Sequence, residues 1–220
     1  MLVSVPLINP IRDQYKTETR RLAGLDQINE NPDRYTFLRM EYLDRSGRFW
    51  AVFLDGETGN DVTVASRYGG LGTTLWVREN WYAGQGYDLT KPRDLPRPER
   101  SKILHGFMAE GDKPVWAGKT RPGIHMPRWM ARYILTNQDT HPQRLHDITE
   151  ADAKREGVER GILRDGPNTE KGEFQLELTC KGSPIGTFLD GFKFTWMQLN
   201  GRPSWDINPW VWVIKFTLNP

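Results

Sequence analysis

Tyr35-Thr-Phe-Leu-Arg-Met-Glu-Tyr42, Phe49-Trp-Ala-Val-Phe-Leu54 and Asp61-Val-Thr-Val-Ala65 are three successive runs dominated by aromatic and β-branched residues. Asp44-Arg-Ser-Gly47 and Asp55-Gly-Glu-Thr-Gly59 separate them. Strand-forming side chains bounded by Gly, Asp and Ser spell an antiparallel meander, so residues 34–66 predict three consecutive strands. Their alternation is only partial, which leaves one face to pack on the rest of the chain.

Working toward the N-terminus, Met1-Leu-Val-Ser-Val-Pro-Leu-Ile-Asn-Pro10 has neither the basic n-region nor the small-residue cleavage site of a signal peptide. It reads as a first strand closed by Pro10. Residues 11–25 place Tyr15, Leu22 and Leu25 among charges and predict a helix entering a basic turn, Lys16-Thr-Glu-Thr-Arg-Arg21. In the other direction, Tyr68-Gly-Gly-Leu-Gly-Thr-Thr74 is glycine-rich. A phosphate loop would need a helix directly after it; the strand-like Leu75-Trp-Val-Arg-Glu79 follows instead, so the glycines serve a tight turn.

Residues 83–123 are rich in Gly, Pro and charge, with Lys91-Pro-Arg-Asp-Leu-Pro-Arg-Pro98 as the clearest loop. Long connections of this kind are often binding lids. Ile124-His-Met-Pro-Arg-Trp-Met-Ala-Arg132 predicts a helix with Pro127 at its first position, leading into a strand at 133–136. Residues 147–157 form a short helix capped by Thr149 or Asp147 and ended by Gly157. A polar loop at 159–173, a strand at 174–179 and a helix at 192–199 with Phe192, Trp196 and Leu199 on one face come next, and a strand at 211–216 closes the chain. Strands outnumber helices and no βαβ rhythm is present. The expected class is α+β, mostly β: a mixed β-barrel with flanking helices and an inserted meander, formed by a single domain over 1–220.

Composition narrows the function. Thirty basic residues against 28 acidic ones leave a net charge of +2, too little for grasping duplex DNA through many phosphates. Any nucleic-acid role must come from a local patch. Nine tryptophans supply core volume and flat stacking surfaces; Trp205, Trp210 and Trp212 read as core and barrel closure. The single cysteine, Cys180, cannot form an intramolecular disulfide and suits a reducing compartment; its alternating neighbourhood makes it a small core residue. His105, His125, His141 and His146 lack metal-ligand spacing, so neither a metal nor another cofactor is expected. No run approaches the roughly 18 apolar residues of a membrane span, and the cytoplasm is the default location.

Four separated segments, taken with the C-terminal one, resemble a known family. Lys16-Thr17-Glu18-Thr19-Arg20-Arg21 is similar to the Lys-Thr-x-Thr-x-Arg signature of ASCH domains, members of the PUA-like superfamily. Leu75-Trp-Val-Arg-Glu79 with Trp81, the 124–132 segment, and Leu145-x-x-Ile148-Thr-Glu-x-Asp-Ala-x-x-Glu156-Gly157 follow in the order seen in phage-encoded ASCH-like proteins. Trp205-x-x-Asn208-Pro-Trp210-Val-Trp-Val ends the set. Residues 22–66, 83–118 and 159–190 then stand as insertions. Gly72-Thr73 departs from the Gly-Asp common before the Leu-Trp-Val-Arg-Glu strand.

The resemblance implies a PUA-like barrel that binds RNA or nucleotides. A bacterial branch that hydrolyses the amide of acetylated cytidine implies a catalytic trio at Lys16, Thr19 and Glu156. The chemistry is coherent: a hydroxyl nucleophile at Thr19, a desolvated lysine as base, and a carboxylate to orient either one. Nucleobase or nucleic-acid contacts are expected from Thr17, Arg20, Arg21, Arg78, Glu79, Trp81, His125 and Arg128. There an arginine and a glutamate read a base edge and an aromatic ring stacks on its face. Three functions therefore stand at the level of sequence. One is binding of a nucleobase in RNA, modified DNA or a free nucleoside; the others are acyl-cytidine amide hydrolysis and a phage structural role without a pocket.

Overall fold

Proline, glycine and the strand-forming runs partition the chain into the elements of the computed structural model, which describes residues 1–43, 48–97, 105–165, 174–178 and 186–220. The N-terminal segment is extended only at its start, where Leu2 bridges Arg78 in parallel, and is helical after that. A 3-10 turn at Val5–Leu7 runs into α1 (Ile8–Arg12). Pro10 does not close a strand; it stands in the first turn of α1, where a missing N–H leaves no intrahelical bond unmade, and it is buried beside Ile8 and Ile11. The helix stops at Arg12, and Gln14 then takes a positive φ of 63°. The expected basic turn is consequently a strand, β1 (Glu18–Arg21), antiparallel to the last strand of the chain with Thr19 opposite Ile214. A single helical turn, α2 (Asp26–Asn29), follows it.

The meander forms as its sequence predicts. β2 (Tyr35–Leu43), β3 (Arg48–Asp55) and β4 (Asp61–Ala65) make a three-stranded antiparallel sheet in that order, with a register shift between Phe37 and Arg39. The 44–47 turn lies outside the described residues. At the 55–59 turn, Asp55 accepts from the backbone N–H of Glu57 and receives two side-chain bonds from Arg34, at 2.7 and 2.6 Å. The glycine-rich turn is also as expected, with Gly69 and Gly72 at φ of 65° and 80°. Asn137 holds it through Nδ2 to the Tyr68 carbonyl (3.0 Å) and two backbone bonds with Gly72 and Thr73.

β5 (Thr74–Trp76) pairs with residues 134–136, and β6 (Trp81–Ala83) pairs with β7 (His105–Phe107). No continuous helix spans 124–132. Two 3-10 turns, Gly123–His125 and Arg128–Met130, replace it, each entered from an extended proline, Pro122 and Pro127. A residue before proline is driven out of the helical region, and Met126 is accordingly extended at φ −66°, ψ 125°. β8 (Ile134–Arg144) is far longer than the 133–136 strand read from sequence. α3 (Glu150–Arg155) is capped by Thr149, whose hydroxyl accepts from the Asp152 N–H while Asp152 returns a bond to the Thr149 N–H.

The polar stretch after α3 is partly a strand. β9 (Gly161–Asp165) pairs antiparallel with β10 (Phe174–Leu178), Leu163 opposite Leu176. Ile162 and Leu163 are its only large apolar residues, too few for a periodicity to show. Residues 166–173 and Cys180 lie outside the described set. In α4 (Phe188–Asn200) Phe192 and Trp196 are buried, but Leu199, on the final turn of that stripe, is exposed. α5 (Pro203–Asp206) and β11 (Trp210–Leu218) complete the chain.

The protein is thus α+β and mostly strands, with few and short helices. It divides into two units: residues 1–14, 74–136 and 218–220, and residues 15–73 and 137–217. One core cluster of the first is Trp81, Ala83, Leu95, Phe107, Met126 and Met130. In the second, β1, β11 and β8 lie side by side. Residues 210–214 are buried without alternation, as in a strand covered on both faces. No described helix is long and apolar enough to cross a membrane.

Candidate functional site

Side chains alternate along a strand, so Glu18 and Arg20 leave β1 on one face and Thr19 and Arg21 on the other. The first face meets α3. The Thr17 N–H donates to the Arg155 carbonyl (2.9 Å), which brings the C-terminal end of α3 over β1. Lys16 then places its ammonium at that helix end. It donates to Glu156 Oε2 (2.7 Å), the Glu156 carbonyl (2.6 Å) and the Glu18 carbonyl (3.0 Å). An ammonium has three donors, and all three are used. A cation here also complements the carbonyl end of the helix.

Arg20 extends the network. Its Nη1 lies 3.3 Å from Glu156 Oε1, and its Nη2 lies 2.9 Å from Glu18 Oε1 and 3.2 Å from Gln143 Oε1. Its guanidinium carbon sits 5.8 Å from the centre of the Phe192 ring. Arg155 bonds Glu18 Oε2 at 3.0 Å and also pairs with Asp152. Lys16, Arg20 and Arg155 face Glu18, Asp152 and Glu156, three charges against three. The Lys16 side chain has no exposed surface, and that of Glu156 is 5% exposed. Burial pushes the Lys16 pKa below its ordinary value, and the charge and hydrogen bond of Glu156 oppose the shift. This is a charge-balanced ion network that ties α3 to β1, although Arg20 Nε and Glu18 Oε1 are buried in it without a hydrogen bond.

Of the three residues assigned to catalysis, the structure brings Lys16 and Glu156 together. Thr19 is buried on the face of β1 opposite Glu18 and Arg20, and among the described residues no hydrogen bond joins it to Lys16 or Glu156. Thr17 serves through its backbone, since its carbonyl also accepts from the Phe216 N–H. Arg21 shares Thr19's face, opposite Trp212 in the register. Burial raises the Tyr68 pKa, and the positive charges of Arg21 and Arg67 act against that rise.

In the first unit, Arg78 donates to the Ile124 carbonyl (3.3 Å) and lies over the Trp76 ring. Glu79 is buried and takes two parallel bonds of 2.8 Å from Arg132, a partner that sequence reading did not single out. Both carboxylate oxygens are committed. Trp81 is fully buried in the core under Arg121, which donates to the carbonyls of Tyr87 (2.6 Å) and Thr90 (2.9 Å). In this conformation Trp81 has no face open to a ligand.

His125 and Arg128 have a different setting. Both are exposed, and they line an open cleft of about 530 Å³ together with Arg93, Arg97 and Trp129. Leu95 and Pro127 supply its apolar lining, and among the described residues no carboxylate lines it. Arg97, His125 and Arg128 form no ion pair with another described residue. Arg93 has only Asp94, 3.8 Å away and also exposed. The geometry follows from the prolines. Pro92 opens the 3-10 turn Pro92–Asp94, buried Leu95 anchors the segment, and Arg93 and Arg97 flank that anchor. Trp129 meets the His105 ring edge-on at 5.8 Å and packs against the core cluster. A cleft of comparable size in the second unit, about 490 Å³, bears Arg164 and Glu177. Those two pair at 2.6 Å, so their charges cancel.

Sequence reading missed Arg93 and Arg97 as cleft residues and took Trp129 for a packing residue rather than a ligand contact. The available signal was two arginines four apart around a leucine, in a proline-rich segment taken as a loop. Among the described residues no three His, Cys, Asp or Glu side chains come together as a metal site. No family model, curated protein or solved structure matches the chain.

Proposed function

We propose that this protein binds a nucleobase-bearing anion, a nucleotide or nucleic acid, in the cleft formed by Arg93, Arg97, His125, Arg128 and Trp129. The observation that carries this reading is the excess positive charge of the cleft: among the described residues, three guanidiniums, an imidazole and no carboxylate line it around a partly buried indole. Guanidiniums are weakly hydrated and fork onto phosphate oxygens, and an indole accepts any base on its face. The resemblance to ASCH domains points to the same ligand class. The test is titration of the whole protein with nucleoside monophosphates and a short oligonucleotide at low salt, followed by tryptophan fluorescence. Saturable binding is expected, weakened at least tenfold in the double variant His125→Ala, Arg128→Ala. If neither ligand binds, or the double variant binds as the parent does, the proposal fails.

Amide hydrolysis of an acylated cytosine is the second reading, favoured by the 2.7 Å contact between Lys16 and Glu156. Against it stand the saturated ammonium and the position of Thr19. Incubation with acetylcytidine is expected to release no acetate. Turnover that is abolished by Thr19→Val in a folded protein would reverse the order of the two readings.

A further inference from the structure

We infer that the cleft of the first unit takes a single-stranded polynucleotide through successive backbone phosphates, and not an isolated nucleotide; this rests on the nucleotide-binding reading above. The cations around the cleft come from separate positions along the chain. Arg93 sits within a 3-10 turn, and Leu95 leaves that turn extended at φ −65°, ψ 136°. At the rise of these conformations, the Cα atoms of Arg93 and Arg97 stand on the order of 10 Å apart. That spacing suits separate phosphates of one strand. Arg128 adds a third guanidinium from another 3-10 turn, with His125 from the turn before it.

Three other features select among phosphate-bearing ligands. A nucleoside di- or triphosphate arrives with Mg²⁺, which prefers carboxylate and water oxygens, and among the described residues no carboxylate lines this cleft. Duplex nucleic acid demands many phosphate contacts, and the whole chain has a net charge of only +2. A single strand needs fewer contacts and exposes its bases for stacking, for which Trp129 provides an aromatic wall beside the arginines. Proline at positions 92, 96 and 127, with Leu95 buried between the first two, restricts the backbone that presents the cations and lowers the ordering cost of binding.

The test uses the full chain and fluorescein-labelled oligouridine and oligothymidine of two, four, eight and twelve residues. A twelve-base-pair duplex and UMP serve as competitors, and anisotropy is read between 50 and 200 mM salt. Affinity is expected to rise at least tenfold from UMP to the four-residue strand and then level off. The logarithm of the binding constant should fall against log salt with a slope of about −2, three phosphates at about −0.7 each. Changing Arg93, Arg97 and Arg128 to alanine should lower affinity at least tenfold and flatten that slope. Changing the same three to lysine should restore the slope, which separates lost charge from lost structure. The uridine and thymidine arms tell RNA from DNA by their relative affinity. UMP binding as tightly as the longest strand, or the duplex outcompeting the single strand, overturns this inference and leaves the nucleotide-binding function standing. Absence of binding to every probe overturns both.

Discussion

Lys16 shows what a buried charge requires. Its ammonium is out of water and stays matched because Glu156 supplies both a carboxylate and a carbonyl at the end of α3. Removing one member of such a pair strands the other in a low-dielectric site, which costs about 3–5 kcal/mol, whereas replacing both with apolar groups can be nearly neutral. Lys16→Met is therefore expected to destabilise the protein by about that amount in urea unfolding, and adding Glu156→Leu should recover at least half of the loss. A loss in the single variant below about 1 kcal/mol would assign the pair to a surface-like role. The Lys-Thr-x-Thr signature and its resemblance made Lys16 and Glu156 legible as partners 140 residues apart. Thr19's direction was not legible, because it follows from strand alternation and the sequence read that segment as a turn. Arg97 and Arg128 were harder still: that an arginine has no ion-pair partner among the described residues follows only from where distant carboxylates fall in the fold.

At the scale of elements, local signals survived and context-dependent ones did not. The meander and the Thr149 cap depend on neighbours in sequence, and both formed as read. β1 depends on β11 at the far end of the chain to satisfy its backbone, and β9, paired with the next strand, has too few apolar residues to show a pattern; both were misassigned. α4 illustrates how packing reverses an intrinsic preference. Alanine in place of a helical glycine ordinarily stabilises by roughly 0.5–1 kcal/mol. At Gly191, however, a Cβ would stand 1.8 Å from the Glu159 carbonyl oxygen. Gly191→Ala must push α4 away from the segment that leads into β9, so a lower melting temperature is expected than for the parent. An unchanged or raised melting temperature would mean that α4 does not approach Glu159 so closely.

Across the whole molecule, paired carboxylates govern the response to acid. Two bonds from Arg34 hold the Asp55 carboxyl well below the usual carboxylate range. Burial pushes Asp152 upward, but the Thr149 N–H and hydroxyl and the charges of Arg20 and Arg155 outweigh it, leaving Asp152 lowered as well. Both groups bind protons more weakly folded than unfolded. Their contribution is therefore complete above the unfolded value near 3.8 and is lost as pH falls through and below it. Urea midpoints should hold steady from pH 7 to 5 and drop below pH 4, and Asp55→Asn should lower the plateau and flatten the acid limb. An acid limb of equal steepness in that variant would remove Asp55 from the account. The sequence by itself determined the class of the fold, the meander, the tight glycine turn and the capped helix, because each is written in residues within about a turn or a hairpin of one another. Tertiary structure alone decided that residues 18–21 form a strand, that the charges of this segment are balanced by α3, and that His125 and Arg128 stand with Arg93, Arg97 and Trp129 in a cleft that no described carboxylate lines. Burial and charge balance are sums over groups brought together from distant parts of the chain, and no local pattern encodes them.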